Sequence, residues 1–174
     1  MTYQSTTTLA RIRAASPCED GWRKLLAHLG KTAADDEPLD LLTVLDSNGL
    51  DDALWVLSYA MPDDRLARHF QAWCAEQVLH LFEEHHPGDS RVRDQINMLR
   101  RDDVGDDERA AARDAARAAA AGAAAGAAAG AAGWAAAWTA VYDSAKAAAR
   151  AAALGAALDA QEQQLRKMLT GETD

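Results

Sequence analysis

The chain has 174 residues, enough for a real core in one domain or two small ones. Ala is very abundant while Phe occurs twice and Tyr three times, and few stretches show the β-branched alternation of a strand, which leaves little room for a β fold. With 27 acids against 18 Lys and Arg the net charge is −9, a balance that disfavours nucleic acid as a direct partner and favours basic protein surfaces.

Residues 1–15 are Thr-rich, with Arg11 and Arg13, and lack the apolar stretch of a signal peptide, so a cytoplasmic location is expected. The first strong helix is predicted from Ser16-Pro17-Cys18-Glu19: Ser16 as cap, Pro17 at the first helical position and Glu19 completing a capping box. Trp22, Leu25, Leu26 and Leu29 then share one face, and Gly30 stops the helix. A polar loop over 31–37 leads to Pro38, which is predicted to start a short helix over 39–45 with Leu41, Leu42, Val44 and Leu45 inside. Asp46-Ser47-Asn48-Gly49 reads as a turn. The next helix, 50–60, is apolar around most of its circumference and so central to its domain, with Asp51 and Asp52 suited to the dipole of its first turn. Pro62 ends it.

Asp63 and Asp64 open a long predicted helix to about residue 84, with Leu66, Phe70, Trp73, Cys74, Val78 and Leu81 at helical spacing. Pro87-Gly88 breaks it, and residues 90–100 form another helix on the stripe Val92, Ile96 and Leu99. Arg101 to Gly105 is the best candidate boundary. It divides an N-terminal helical bundle (1–104) from an Ala-rich segment (105–174) expected to pack on it as one compact unit.

From Asp106 the composition shifts. Between Ala110 and Ala160, 31 of 51 residues are Ala, the residue of highest helix propensity. One unbroken helix to Met168 would be about 95 Å long, too long for a compact domain of this size. A break is therefore expected, at 130–133 or at Asp143-Ser144. Gly122, Gly126 and Gly130 share one narrow face that admits close approach of another helix. Packing within the chain uses that face, but so would a dimer seam, and monomer and homodimer both stay open. Residues 118–142 carry no charge, yet their Ala and Gly give too poor an apolar payload for a membrane span. The fold class predicted is all-α, an irregular multi-helix bundle with closely packed Ala/Gly-rich C-terminal helices.

The chemistry-bearing residues point away from catalysis. His80 and Glu84 have i, i+4 spacing, but no remote Cys or His cluster completes a metal site, and His85 and His86 suit a helix C-terminus. Counted from Asp46, the calcium-loop positions six and twelve hold Asp51 and Leu57 rather than Gly and Glu, so capping is the expected job. Asp51 and Asp52 point about 100° apart on a helix and do not converge for acid–base work. No nucleophile–base arrangement, phosphate loop or dinucleotide fingerprint is present, and basic residues form no continuous patch. No cofactor or metal is expected. Cys18 and Cys74 read as buried thiols in a reducing compartment.

What stands out instead is residues 32–64: nine carboxylates, Asp35, Asp36, Glu37, Asp40, Asp46, Asp51, Asp52, Asp63 and Asp64, without one Lys or Arg. The other 18 acids are balanced by the 18 bases, so this block alone accounts for the net charge. Such concentration departs from the mixed-sign surface that solubility requires. Asp46, Asp51 and Asp52 are committed to capping, which leaves Asp35, Asp36, Glu37, Asp40, Asp63 and Asp64 as the candidate residues for docking a basic protein.

Two motifs, Pro17-Cys18-Glu19-Asp20-Gly21-Trp22 and the run from Leu45 to Trp55 (Leu-Asp-Ser-Asn-Gly-Leu-Asp-Asp-Ala-Leu-Trp), followed by the Ala-rich tail, resemble a bacterial and phage family of immunity proteins of the immunity-protein-five-like type. The resemblance extends over residues 9–168. It implies neutralisation of a toxin and carries no established binding residues. The expected function is a non-enzymatic acidic inhibitor or antitoxin-like immunity protein that binds a basic partner. The alternatives are a phage anti-defence (anti-CRISPR-like) inhibitor whose carboxylates occupy phosphate-binding positions, and an enzyme, which would need a polar cleft with convergent groups.

Overall fold

The computed structural model describes residues 3–124 and 154–172. These form eight helices and a two-stranded sheet, an all-α multi-helix architecture with one small β element. The chain divides into two compact units, one built from Met1–Ala67 and Glu162–Asp174, the other from Arg68–Gln161.

In the first unit the Thr-rich segment forms regular structure from Thr6 onward. β1 (Thr6–Thr8) pairs antiparallel with β2 (Pro38–Asp40), with Thr6 opposite Asp40, Thr7 opposite Leu39 and Thr8 opposite Pro38. Thr7 and Leu39 face inward and the flanking positions outward, as a pleat demands. Helix α1 (Leu9–Ala14) follows at once, with the Thr8 hydroxyl accepting from the Arg11 amide. Neither strand nor α1 was expected from the sequence. Pro38, predicted to begin a helix, instead sits in β2, and the helix starts three residues later.

Helix α2 (Glu19–Leu29) buries Trp22, Leu25 and Leu26 and ends at Gly30, whose φ of 66° is left-handed, so glycine is the residue that suits it. Its start differs from the capping-box expectation. Ser16 has φ of 61° and its amide donates to the Arg13 carbonyl, so Ser16 closes α1 rather than opening α2. The cap is Cys18, whose Sγ accepts from the Gly21 amide. Cys18 is therefore exposed, against the expectation that both thiols are buried; Cys74 is buried, and burial pushes its thiol up to about 12.

Helices α3 (Leu41–Asn48) and α4 (Leu50–Tyr59) pack together about Gly49, whose φ of 93° lets the chain reverse. Leu41, Val44, Leu45, Ala53, Leu54, Val56 and Leu57 are almost wholly removed from solvent, which makes this pair the centre of the unit. At about 25 cal/mol per Å² of apolar surface, burial of this kind is the main force holding it. The C-terminal turns of α8 (Leu154–Thr170) bury Leu165 and Met168, and Arg166 reaches Asp46 of α3 at 2.5 Å.

The second unit contains most of α5 (Arg65–His85), α6 (Arg91–Arg100) and α7 (Asp106–Ala124). Ala72, Ala75, Leu79 and Phe82 of α5, Val92, Ile96 and Leu99 of α6 and Ala116 of α7 form one apolar cluster. Small Ala side chains at 72, 75 and 116 let the helices approach closely. Arg68, nearly buried, donates to the carbonyls of Leu99 and Arg101 and pairs with Asp102, satisfying the C-terminal carbonyls of α6. The compositional shift at 104/105 thus lies inside this unit, where α7 packs on α6. The predicted breaks at 130–133 and 143–144, and the glycine face beyond Gly122, lie outside the described residues.

Candidate docking surface

Four of the six candidate carboxylates lie on one short segment. The Asp35 carbonyl accepts from the Ala10 amide at 2.9 Å, Asp40 stands opposite Thr6, and the Leu41 amide donates to the Ser5 carbonyl at 2.8 Å. Residues 35–41 therefore run antiparallel alongside residues 5–10, and Asp35, Asp36, Glu37 and Asp40 are strung along that edge. The residues flanking Asp63 and Asp64 meet the same N-terminal segment by another route. The Thr7 hydroxyl donates to the Ala60 carbonyl, and the Arg65 guanidinium lies 5.7 Å over the Tyr3 ring. The α4–α5 corner carrying Asp63 and Asp64 is thereby tied to β1. Asp36, Glu37, Asp40, Asp63 and Asp64 are all exposed.

Their charges are not equally available. Lys31, one residue before the acid-only block, places its Nζ 2.6 Å from Asp35 and 2.7 Å from Glu37. The hydrogen bond from Lys31 holds the Asp35 carboxyl below its ordinary range, and the same bonds raise the Lys31 ammonium. Asp35 is consequently committed to the loop, whereas the Glu37 side chain keeps three-quarters of its surface in water. Asp40 caps α3: one carboxylate oxygen accepts from the Leu42 amide at 2.8 Å and the other from the Ser5 hydroxyl at 3.3 Å. Asp63 accepts from the Arg65 amide at 3.1 Å. These bonds fix where the carboxylates sit without removing their charge. Of the remaining acids of the block, Asp46 is matched by Arg166 and Asp52 accepts from the Asn48 side-chain amide at 2.7 Å.

The two motifs behind the family resemblance meet in space. Asn48 Nδ2 donates to the Gly21 carbonyl at 2.8 Å as well as to Asp52, and a Cβ on Gly21 would stand 2.6 Å from Asp52 Oδ2. The Glu-Asp-Gly-Trp and Asn-Gly-Leu-Asp-Asp motifs thus form a junction where the start of α2 touches the α3–α4 turn. Their chemistry here is structural: a close backbone approach sealed by one amide.

Among the described residues, no group of three His, Cys, Asp or Glu side chains is placed to hold a metal ion, and no helix is long and apolar enough to cross a membrane. No family model, curated protein or solved structure matches the chain.

One feature of the surface was missed from the sequence. Among the described residues Tyr59 is the exposed large apolar side chain, at 59% of its full area, and it pairs with the half-buried Trp55 at 5.6 Å between ring centroids. The apolar run of α4 suggested a central helix apolar around most of its circumference, with no solvent-facing aromatic residues singled out. In fact Asp51, Trp55 and Tyr59, at i, i+4 and i+8, mark a solvent face.

Proposed function

We propose that the protein is a non-enzymatic acidic inhibitor of the immunity-protein kind, acting in the cytoplasm on a basic protein partner such as a toxin. The observation that carries this reading is the run Asp35 to Asp40 laid along the β1 edge, with Asp36, Glu37 and Asp40 directed to water. The cation Lys31 is shared between two of its carboxylates. Asp63 and Asp64 extend the negative surface at the neighbouring corner. Such a field accelerates encounter with a cationic surface and repels wrong partners.

A second version rests on the same exposed carboxylates, Asp36, Glu37, Asp40, Asp63 and Asp64. A phage inhibitor occupying the nucleic-acid surface of a defence complex would use the same residues.

A pull-down from the native host separates the two: a single toxin supports immunity, a CRISPR or restriction complex supports anti-defence. With the recovered partner, the combined substitutions Asp36→Asn, Glu37→Gln, Asp40→Asn, Asp63→Asn and Asp64→Asn should slow association at least ten-fold at low salt. They should also flatten its salt dependence, with little change in dissociation rate. Unchanged association would reject the acidic-surface mechanism.

A further inference from the structure

We infer that the exposed face of α4, centred on Tyr59 and Trp55, receives an arginine side chain of the basic partner. This inference rests on the acidic-inhibitor reading and names where in the partner's chemistry the specificity lies. The first unit contains four aromatic residues: Tyr3, Trp22, Trp55 and Tyr59. Two already carry a guanidinium from their own chain, Arg13 at 5.5 Å from the centre of Trp22 and Arg65 at 5.7 Å from Tyr3. Trp55 and Tyr59 carry none among the described residues. They pair instead with each other, tilted by 42°, and leave Tyr59 largely in water.

The surroundings supply the charge complement. Asp51 precedes Trp55 by one turn on the same face of α4, and Asp63 and Asp64 follow Tyr59 just beyond Pro62. An aromatic pair with a carboxylate one helical turn away, followed in the chain by an acidic corner, offers a cation two attractions: the ring quadrupole at a ring face and the negative charge of this part of the chain. A planar guanidinium exploits both, because it stacks on a ring while its N–H groups reach carboxylates sideways. An ammonium is a compact charge that keeps its hydration. The occupant that fits is therefore an Arg-bearing segment of a basic protein, preferred over a Lys-bearing one. Exposed aromatic residues of this kind also serve as anchors at protein interfaces, where Tyr and Trp are enriched.

The test uses fluorescein-labelled nona-arginine and nona-lysine peptides with the full chain at low salt. The expected result is that wild type binds the arginine peptide about five-fold more tightly, the scale of an exposed cation–π contact. Tyr59→Leu, which retains apolar bulk at an exposed position, should abolish that difference and leave the lysine affinity unchanged. Asp63→Asn with Asp64→Asn should weaken both peptides alike. Equal binding of the two peptides by wild type, or a preference that survives Tyr59→Leu, overturns the arginine site while the acidic-surface reading stands. Failure of wild type to bind either peptide overturns both.

Discussion

Gly21 shows how a single missing methyl group can hold a junction together. Its carbonyl and the Asp52 carboxylate accept from the same Asn48 amide, and the space a Cβ would need is filled by Asp52 Oδ2. In an isolated helix Gly→Ala gains up to about 1 kcal/mol. Here the added methyl must push Asp52 off Asn48, and loss of a hydrogen bond to a charged group costs about 1.5–3 kcal/mol. Gly21→Ala should therefore destabilise the protein by about 1 kcal/mol in urea unfolding. In an Asp52→Ala background only Cys18 Sγ, 3.1 Å from the added methyl, still crowds it, so the same substitution should cost less. A double-mutant cycle reads this difference directly; equal effects in both backgrounds would show that the Asp52 contact carries no energy.

Asp40 links the sheet to α3, and its two oxygens divide the work: one caps the helix and one meets Ser5 across the sheet. Asp40→Ala should cost about 1 kcal/mol, while Asp40→Asn, an equally good cap, should be nearly neutral. Urea midpoints at constant m-value test the difference. The same comparison explains why Asn is the right substitution for probing docking at this position. Elements of this kind mark the limit of what the sequence makes legible. Helices α4, α5 and α6 are readable because Gly49, Pro62, Pro87 and Gly88 punctuate long apolar periods. β1 and β2 are three residues each, too short for alternation to register, and α1 offers only Leu9 and Ile12 as buried positions. Ser16 and Glu19 resemble a capping box, yet tertiary context uses Ser16 to end the preceding helix. The acidic run itself was visible. Its partial neutralisation was not, because Lys31 lies just outside the run and Arg166 lies 120 residues from Asp46. The solvent face of α4 was hidden by the apolar character of Trp55 and Tyr59, which hydrophobicity alone assigns to the core.

For the molecule as a whole, Lys31 sets how much of the acidic loop's negative charge is left unmatched. It is the cation held by the loop's own acids, and it competes with any cationic surface for Glu37. Lys31→Gln takes the net charge from −9 to about −10 and frees two carboxylates. Association with a basic partner should then quicken by about two- to five-fold at low salt, with the gain vanishing at high salt. The pH dependence has a defined direction. The folded-state pKa of Asp35 is depressed below its ordinary 3.8, chiefly by the Lys31 hydrogen bond. The stabilisation it contributes is present above that ordinary value and is lost as pH falls through the lowered one. Carboxyl-carbon NMR should find Asp35 titrating below the ordinary carboxylate range in wild type and moving upward in Lys31→Gln. If its midpoint stays where it was, Lys31 does not govern the loop. A slower association in the same variant would mean that the cation orders the docking edge rather than masking it.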